Sequence, residues 1–183
     1  MEYRITRTYV VERIRAALQS LPYFKAMWEG GAAAFDRVDQ WSDLDLCFVV
    51  DDNHVAEAWN SIDRAVSSIA EPEQILRMPN PTWHGHEQTF YRLRGASPYL
   101  LLDITVMKLS AKDKFLDPEM HGHAVVHFDN AGVVESVTAP DGAGRRQHIA
   151  MRLTAIRASL TMFDVLVSKE LNRGNFIEAI NFY

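Results

Sequence analysis

Apolar residues recur at helical spacing near the start of the chain. Val10, Val11, Ile14, Ala17, Leu18 and Leu21, with Glu12, Arg13, Arg15 and Gln19 between them, predict an amphipathic helix ending near Pro22. Residues 23–29 predict a strand that runs into Gly30-Gly31. The run Leu46-Cys47-Phe48-Val49-Val50, bounded by Asp51-Asp52-Asn53, has the continuous apolar character of a buried strand, and a helix is expected from about Val55 to Ile69. Breaks at Pro72, Pro79 and Pro81 follow. Glu87 to Arg94 and Pro98 to Lys108 then predict two strands of a hairpin joined by Gly95-Ala96-Ser97. His123 to Phe128 and Val133 to Val137 flank another turn, Asp129-Asn130-Ala131-Gly132, and Pro140-Asp141-Gly142-Ala143-Gly144 marks a boundary.

Beyond that boundary the period turns helical. Ile149, Leu153, Ile156, Leu160, Phe163 and Leu166-Val167 form an apolar stripe, and Arg173-Gly174-Asn175 separates it from a last helix over 176–183. The expected fold class is α/β in the α+β sense: a mixed β-sheet core with flanking helices over 1–140, then a helical region over 141–183. The last helix carries Phe176, Ile177, Ala179, Ile180 and Phe182 and stops without a C-cap or polar tail, so the helical region is expected to continue past the sequence given.

With 183 residues and 48% hydrophobic content, the chain can bury a real core and suits one domain with an appendage. Its formal net charge of -5 offers no broad basic surface, so long nucleic acid is not an expected partner. The single cysteine, Cys47, falls in the apolar strand, which excludes an intramolecular disulfide and makes a packing thiol the expectation. A cytoplasmic setting is the default. No stretch approaches the roughly 20 apolar residues that cross a bilayer, and Met1 to Tyr9 has no uninterrupted apolar segment.

The chemistry concentrates in Gly30-Gly31-Ala32-Ala33-Ala34-Phe35 and Trp41-Ser42-Asp43-Leu44-Asp45-Leu46. Side chains alternate along a strand, so Asp43 and Asp45 face one side while Leu44 faces the other. Two adjacent like charges are unfavourable unless a cation lies between them, and carboxylate oxygens favour Mg²⁺. A third acid, Asp103, interrupts the apolar run Tyr99-Leu100-Leu101-Leu102-Asp103-Ile104-Thr105-Val106-Met107. A lone buried carboxylate is costly. If its strand lies beside the first, Asp43, Asp45 and Asp103 form a cage able to hold two metal ions against a nucleoside triphosphate.

These features, the glycine turn, the Trp41 to Leu46 run and the later strand aspartate, resemble the nucleotidyltransferase fold of the DNA polymerase beta superfamily. The small bacterial members that include the aminoglycoside nucleotidyltransferases are the nearest branch. The resemblance implies that Gly30, Gly31, Ala32 and Ser42 meet the nucleotide. It also implies that Asp43, Asp45 and Asp103 bind metal and carry catalysis, with ATP as the expected donor and a small-molecule or protein hydroxyl as acceptor. An antitoxin-type enzyme acting on a protein, and a silent nucleotide- or partner-binding module, are the alternatives. The sequence departs from the pattern at Ala32, where the family commonly has Ser, at Phe35, where Arg or Lys is frequent, and at Glu29, where an apolar residue is usual. Loss of one hydroxyl bond to a charged group weakens phosphate binding by about 1.5–3 kcal/mol. In resembling enzymes a carboxylate near the metals acts as base, which points to Asp103 first and to Glu170 or Glu178 after it.

Other groups carry weaker expectations. His84-Gly85-His86, His121-Gly122-His123 and His127 are zinc ligands by type but lack zinc-site spacing. Arg92, Arg94 and Lys108 are candidates to reach the triphosphate. Among Phe24, Trp28, Trp41, Trp59 and Trp83, which read mainly as core, Trp41 alone sits beside the acids.

Overall fold

The computed structural model describes residues 3–80, 82–135 and 142–182. It divides into two compact units, Met1–Thr138 and Ala139–Tyr183. The first unit is a mixed α/β structure in the order α1 (Arg7–Leu18), β1 (Phe24–Glu29), α2 (Gly31–Ala34), β2 (Leu44–Val50), α3 (Val55–Ile69), β3 (Pro72–Arg77), β4 (Glu87–Leu93), β5 (Leu101–Lys108), α4 (Pro118–His121) and β6 (Val125–Asp129). The second holds α5 (Gly142–Asn172) and α6 (Phe176–Phe182).

The six strands form one sheet in the order β3-β4-β5-β2-β1-β6. The β2–β5 pairing is parallel and the other pairings are antiparallel. Alternation sorts each strand between two faces. Leu44, Leu46, Phe48 and Val50 of β2 and Leu102, Ile104 and Val106 of β5 enter the main core with Val10, Ile14 and Leu18 of α1 and Ile62 and Val66 of α3. Within it Phe24 meets Phe48 edge-on, with ring centroids 5.7 Å apart. Cys47, Val49 and Met107 face the other way, into a smaller cluster with Ala26, Trp28, Leu116 and Val133. Asp45 and Asp103 sit in phase with this second set and therefore project from the face away from α1 and α3.

Helix α1 starts where the Thr6 hydroxyl accepts the Tyr9 backbone N–H. Thr6→Ala is expected to cost about 1 kcal/mol of stability, read as a lower urea midpoint at unchanged slope.

Strand β3 corrects the sequence reading, which treated the Pro72 to Pro81 stretch as breaks. It lies at the sheet edge, where Pro72 costs no ladder bond, and most of its residues are exposed, so no alternation marked it. The short helix α4 was likewise unmarked. Of the run Val133 to Val137, Val133 to Glu135 form a turn rather than a strand, because the Asp129 carboxylate accepts the backbone N–H groups of Val133 (2.8 Å) and Val134 (2.9 Å). Ser136, Val137 and the Pro140–Asp141 boundary lie outside the described residues.

In the second unit the α5–α6 corner is built on Glu170. Its carboxylate takes the Asn175 amide at 2.9 Å and Arg173 at 2.8 Å, and Asn175 N–H caps its carbonyl. The Asn175 bond foremost, with Lys169 and Arg173 after it, holds this acid below the usual carboxylate range. Ile149, Leu153, Ile156 and Leu160 of the α5 stripe are exposed.

Candidate functional site

The parallel register sets Asp45 directly against Asp103. Asp43, one residue before β2, is held by Arg7 of α1, whose guanidinium donates to the Asp43 carbonyl. That same guanidinium donates through Nε to Glu29 Oε2 at 2.9 Å, and His127 Nε2 meets Glu29 Oε1 at 2.8 Å. Glu29 therefore sits buried where the family pattern has an apolar residue, but fully partnered. Burial pushes its pKa up, and the bonds from His127 and Arg7 outweigh that and hold it below the usual range.

The strand acids lack such compensation. Burial, and then repulsion from Asp43 and Asp103, lift Asp45 to about 6, with Arg7 offsetting only part. Asp103 is also raised, chiefly by burial and further by Asp43, while its bond from Gln88 pulls it back down. Opposed carboxylates on adjacent strands form an oxygen-only donor set with excess negative charge, which suits a hard divalent cation. Among the described residues no group of three or more His, Cys, Asp or Glu side chains, the expected Asp43, Asp45 and Asp103 trio included, is arranged so that it could hold a metal ion.

A cavity of about 290 Å³ opens over this face, and its floor includes Gly30, Gly31, Asp45, Cys47, Gln88 and Asp103. Gly31 has a positive φ of 50°, and a Cβ built there would lie 1.8 Å from Asp45 Oδ2. Glycine is thus required for the turn to pass over the carboxylate. Burial foremost, with Asp45 and Asp103 adding to it, pushes the Cys47 thiol far up, which agrees with a packed, protonated thiol rather than a nucleophile.

Of the residues expected at the nucleotide, Gly30 and Gly31 line the cavity, whereas Ala32 and Ser42 lie outside its lining. The Ser42 hydroxyl is taken up locally: it donates to Asp39 Oδ1 at 2.8 Å and accepts the Asp39 N–H at 2.9 Å. Asp43 is close enough to repel both strand acids, though outside the lining. Lys108 ends β5, five residues beyond Asp103 and roughly 17 Å along the strand, which removes it from the carboxylates. Arg94 pairs with Glu71 at 2.9 Å, and Arg92 lines a separate apolar groove with Phe90 and Leu101. Trp41 is exposed and outside the cavity lining, while Trp83, at 93% exposure, lies on its rim.

The histidine triplets divide. His84 and His121 line the cavity on either side of Phe115, with ring centroids 5.3 and 5.1 Å from it. Phe115 adopts φ 56°, a conformation that bulky residues rarely hold outside strained sites. Gly122 fastens this wall to the glycine turn. At φ 74° its absent Cβ would fall 2.5 Å from the Ala34 carbonyl oxygen, which accepts the His123 N–H at 2.8 Å. Sequence reasoning missed Gln88, whose Nε2 lies 2.7 and 2.9 Å from the two Asp103 oxygens. Its only sequence signal was its place on a strand expected to pair with that of Asp103.

Fold and site together define a mixed α/β protein whose six-stranded sheet presents an acidic cavity beside a glycine turn. No protein-family model matches this chain, and no curated protein gives a significant match to it. No helix among the described residues is long and apolar enough to cross a membrane.

Proposed function

We propose that this protein is a Mg²⁺-dependent nucleotidyltransferase that moves a nucleoside monophosphate from ATP to an acceptor hydroxyl. The observation that carries the reading is the register of Asp45 against Asp103 on parallel strands, under a turn that only glycine can make. Asp43, Asp45 and Asp103 would hold the metal, which when bound neutralises charge on the triphosphate and the departing pyrophosphate. Gly31 leaves the space over Asp45 open for phosphate oxygens. In the transfer, the acceptor oxygen bonds to the α-phosphorus as the bridging P–O bond breaks, and pyrophosphate leaves with that electron pair. The hydroxyl proton needs a base, and Asp103, lifted by burial, suits it. Glu170 is occupied by its own turn. An aminoglycoside-like polyol is the first acceptor to test.

A second reading, a nucleotide- or partner-binding module without turnover, is favoured by one observation: neither Ala32 nor Ser42 offers a hydroxyl to the cavity. Titration of a non-hydrolysable ATP analogue separates the cases. Binding that needs Mg²⁺ and is lost in the Asp43→Asn, Asp45→Asn double variant is expected; binding indifferent to both would overturn the proposal. With ATP and an acceptor, label should move from the α-phosphate and never from the γ-phosphate. Metal-dependent binding without pyrophosphate release across an acceptor panel would favour the silent module.

A further inference from the structure

Asp103, one of the two acids that line the cavity, is held by a chain of polar contacts that begins in the loop before β4. The Thr82 hydroxyl donates to the His86 carbonyl, and the His86 N–H donates to His84 Nδ1 at 3.2 Å. With Nδ1 accepting, the neutral imidazole carries its proton on Nε2, which lies 3.3 Å from Gln88 Oε1. That contact fixes which end of the Gln88 amide faces which way: its oxygen meets His84 and its nitrogen meets both oxygens of Asp103. A rotated amide would set oxygen against carboxylate at one end and lose the His84 contact at the other.

The Gln88 nitrogen lies within hydrogen-bond distance of both Asp103 oxygens, and Asp103 lines the cavity beside Gln88. Arg7 spends its guanidinium on Glu29 and the Asp43 carbonyl, and among the described residues it is Gln88 that donates to both oxygens of Asp103. We infer that His84 and Gln88 are positioning residues that hold Asp103 in the orientation required for divalent-metal binding, His84 acting through Gln88. The inference rests on the nucleotidyltransferase reading of the same carboxylates. Partners one step removed from a metal typically change affinity 10- to 100-fold when removed.

The test is Mn²⁺ binding to the full chain without nucleotide, followed by electron paramagnetic resonance, in the wild type, Gln88→Leu, His84→Phe, the double variant and Asp103→Asn. Gln88→Leu should weaken Mn²⁺ binding at least tenfold and His84→Phe severalfold, and the double variant should lose less than the sum of the two, because the hydrogen-bonded contact of His84 with Asp103 runs through Gln88 and only its longer-range charge reaches the acid directly. Gln88→Glu, which keeps the length but sets a carboxylate against Asp103, should fail to restore affinity. Folding of each variant is checked by its thermal melt, so that a lost fold is not mistaken for lost binding. Wild-type binding that depends on Asp103 but survives Gln88→Leu, or additive losses in the double variant, overturns the positioning role and leaves the proposed function standing. Wild-type binding indifferent to Asp103, or no binding, overturns both.

Discussion

Asp45→Asn is expected to stabilise the metal-free protein at neutral pH while abolishing Mg²⁺-dependent nucleotide binding. Burial and the neighbouring Asp43 and Asp103 raise the Asp45 pKa from the ordinary 3.8 to about 6. A group whose pKa rises on folding favours the fold while protonated, so its contribution is fully present below about pH 4 and is lost as pH climbs through about 6. Above that the ionised carboxylate destabilises the fold by about 1–3 kcal/mol, allowing for the water that reaches it. Asparagine removes the charge at little change in volume. In melts with chelator, the wild type should therefore lose stability relative to the variant between about pH 4 and pH 6, stay lower by a constant amount above that, and converge with the variant below pH 4. Added Mg²⁺ should reverse the order, stabilising the wild type at pH 8 by mass action and leaving the variant unmoved. A variant less stable than wild type at pH 8 in chelator would mean that Asp45 is already compensated, and the argument for a cation at this site would fall.

The parts of this site that could be read from sequence share one physical property: they lie within a regular period. The alternation of β2 placed Asp45 opposite Leu44 and Leu46, and an acid inside an otherwise apolar β5 identified Asp103, because burial without purpose is costly. Strand β3 was hidden because an exposed edge leaves no alternation to read. The supports of the acids were hidden for another reason. Glu29 is joined to Arg7 across 22 residues of sequence and to His127 across 98, and such pairings are set by tertiary approach, not by local pattern. The histidine triplets are zinc ligands by residue type but not by spacing. In the structure His84 of the first triplet is engaged with Gln88 and the His86 backbone.

Gly31→Ala is expected to destroy metal-dependent nucleotide binding and to lower stability, and the neighbouring Gly30→Ala to leave stability unchanged. At Gly30 the nearest atom to an added methyl is Asp45 Cβ at 3.9 Å, an ordinary contact, so little should change. At Gly31 the methyl would overlap Asp45 Oδ2 at 1.8 Å and Cγ at 2.6 Å, with a positive φ adding about 1 kcal/mol of backbone cost. The colliding atoms belong to the Asp45 side chain, so the carboxylate has to turn away from the glycine and give up the place it holds on the cavity floor. A total loss of about 2–4 kcal/mol is therefore expected, visible in urea unfolding. The cause can be isolated by adding Asp45→Ala, which removes the colliding oxygen. The double variant should recover most of the lost stability, leaving only the backbone cost, and should still fail to bind nucleotide. Stability that is not recovered would place the strain elsewhere in the turn. Nucleotide binding that survives Gly31→Ala would separate the glycine turn from the acidic cavity and remove the geometric basis for reading the two as one site.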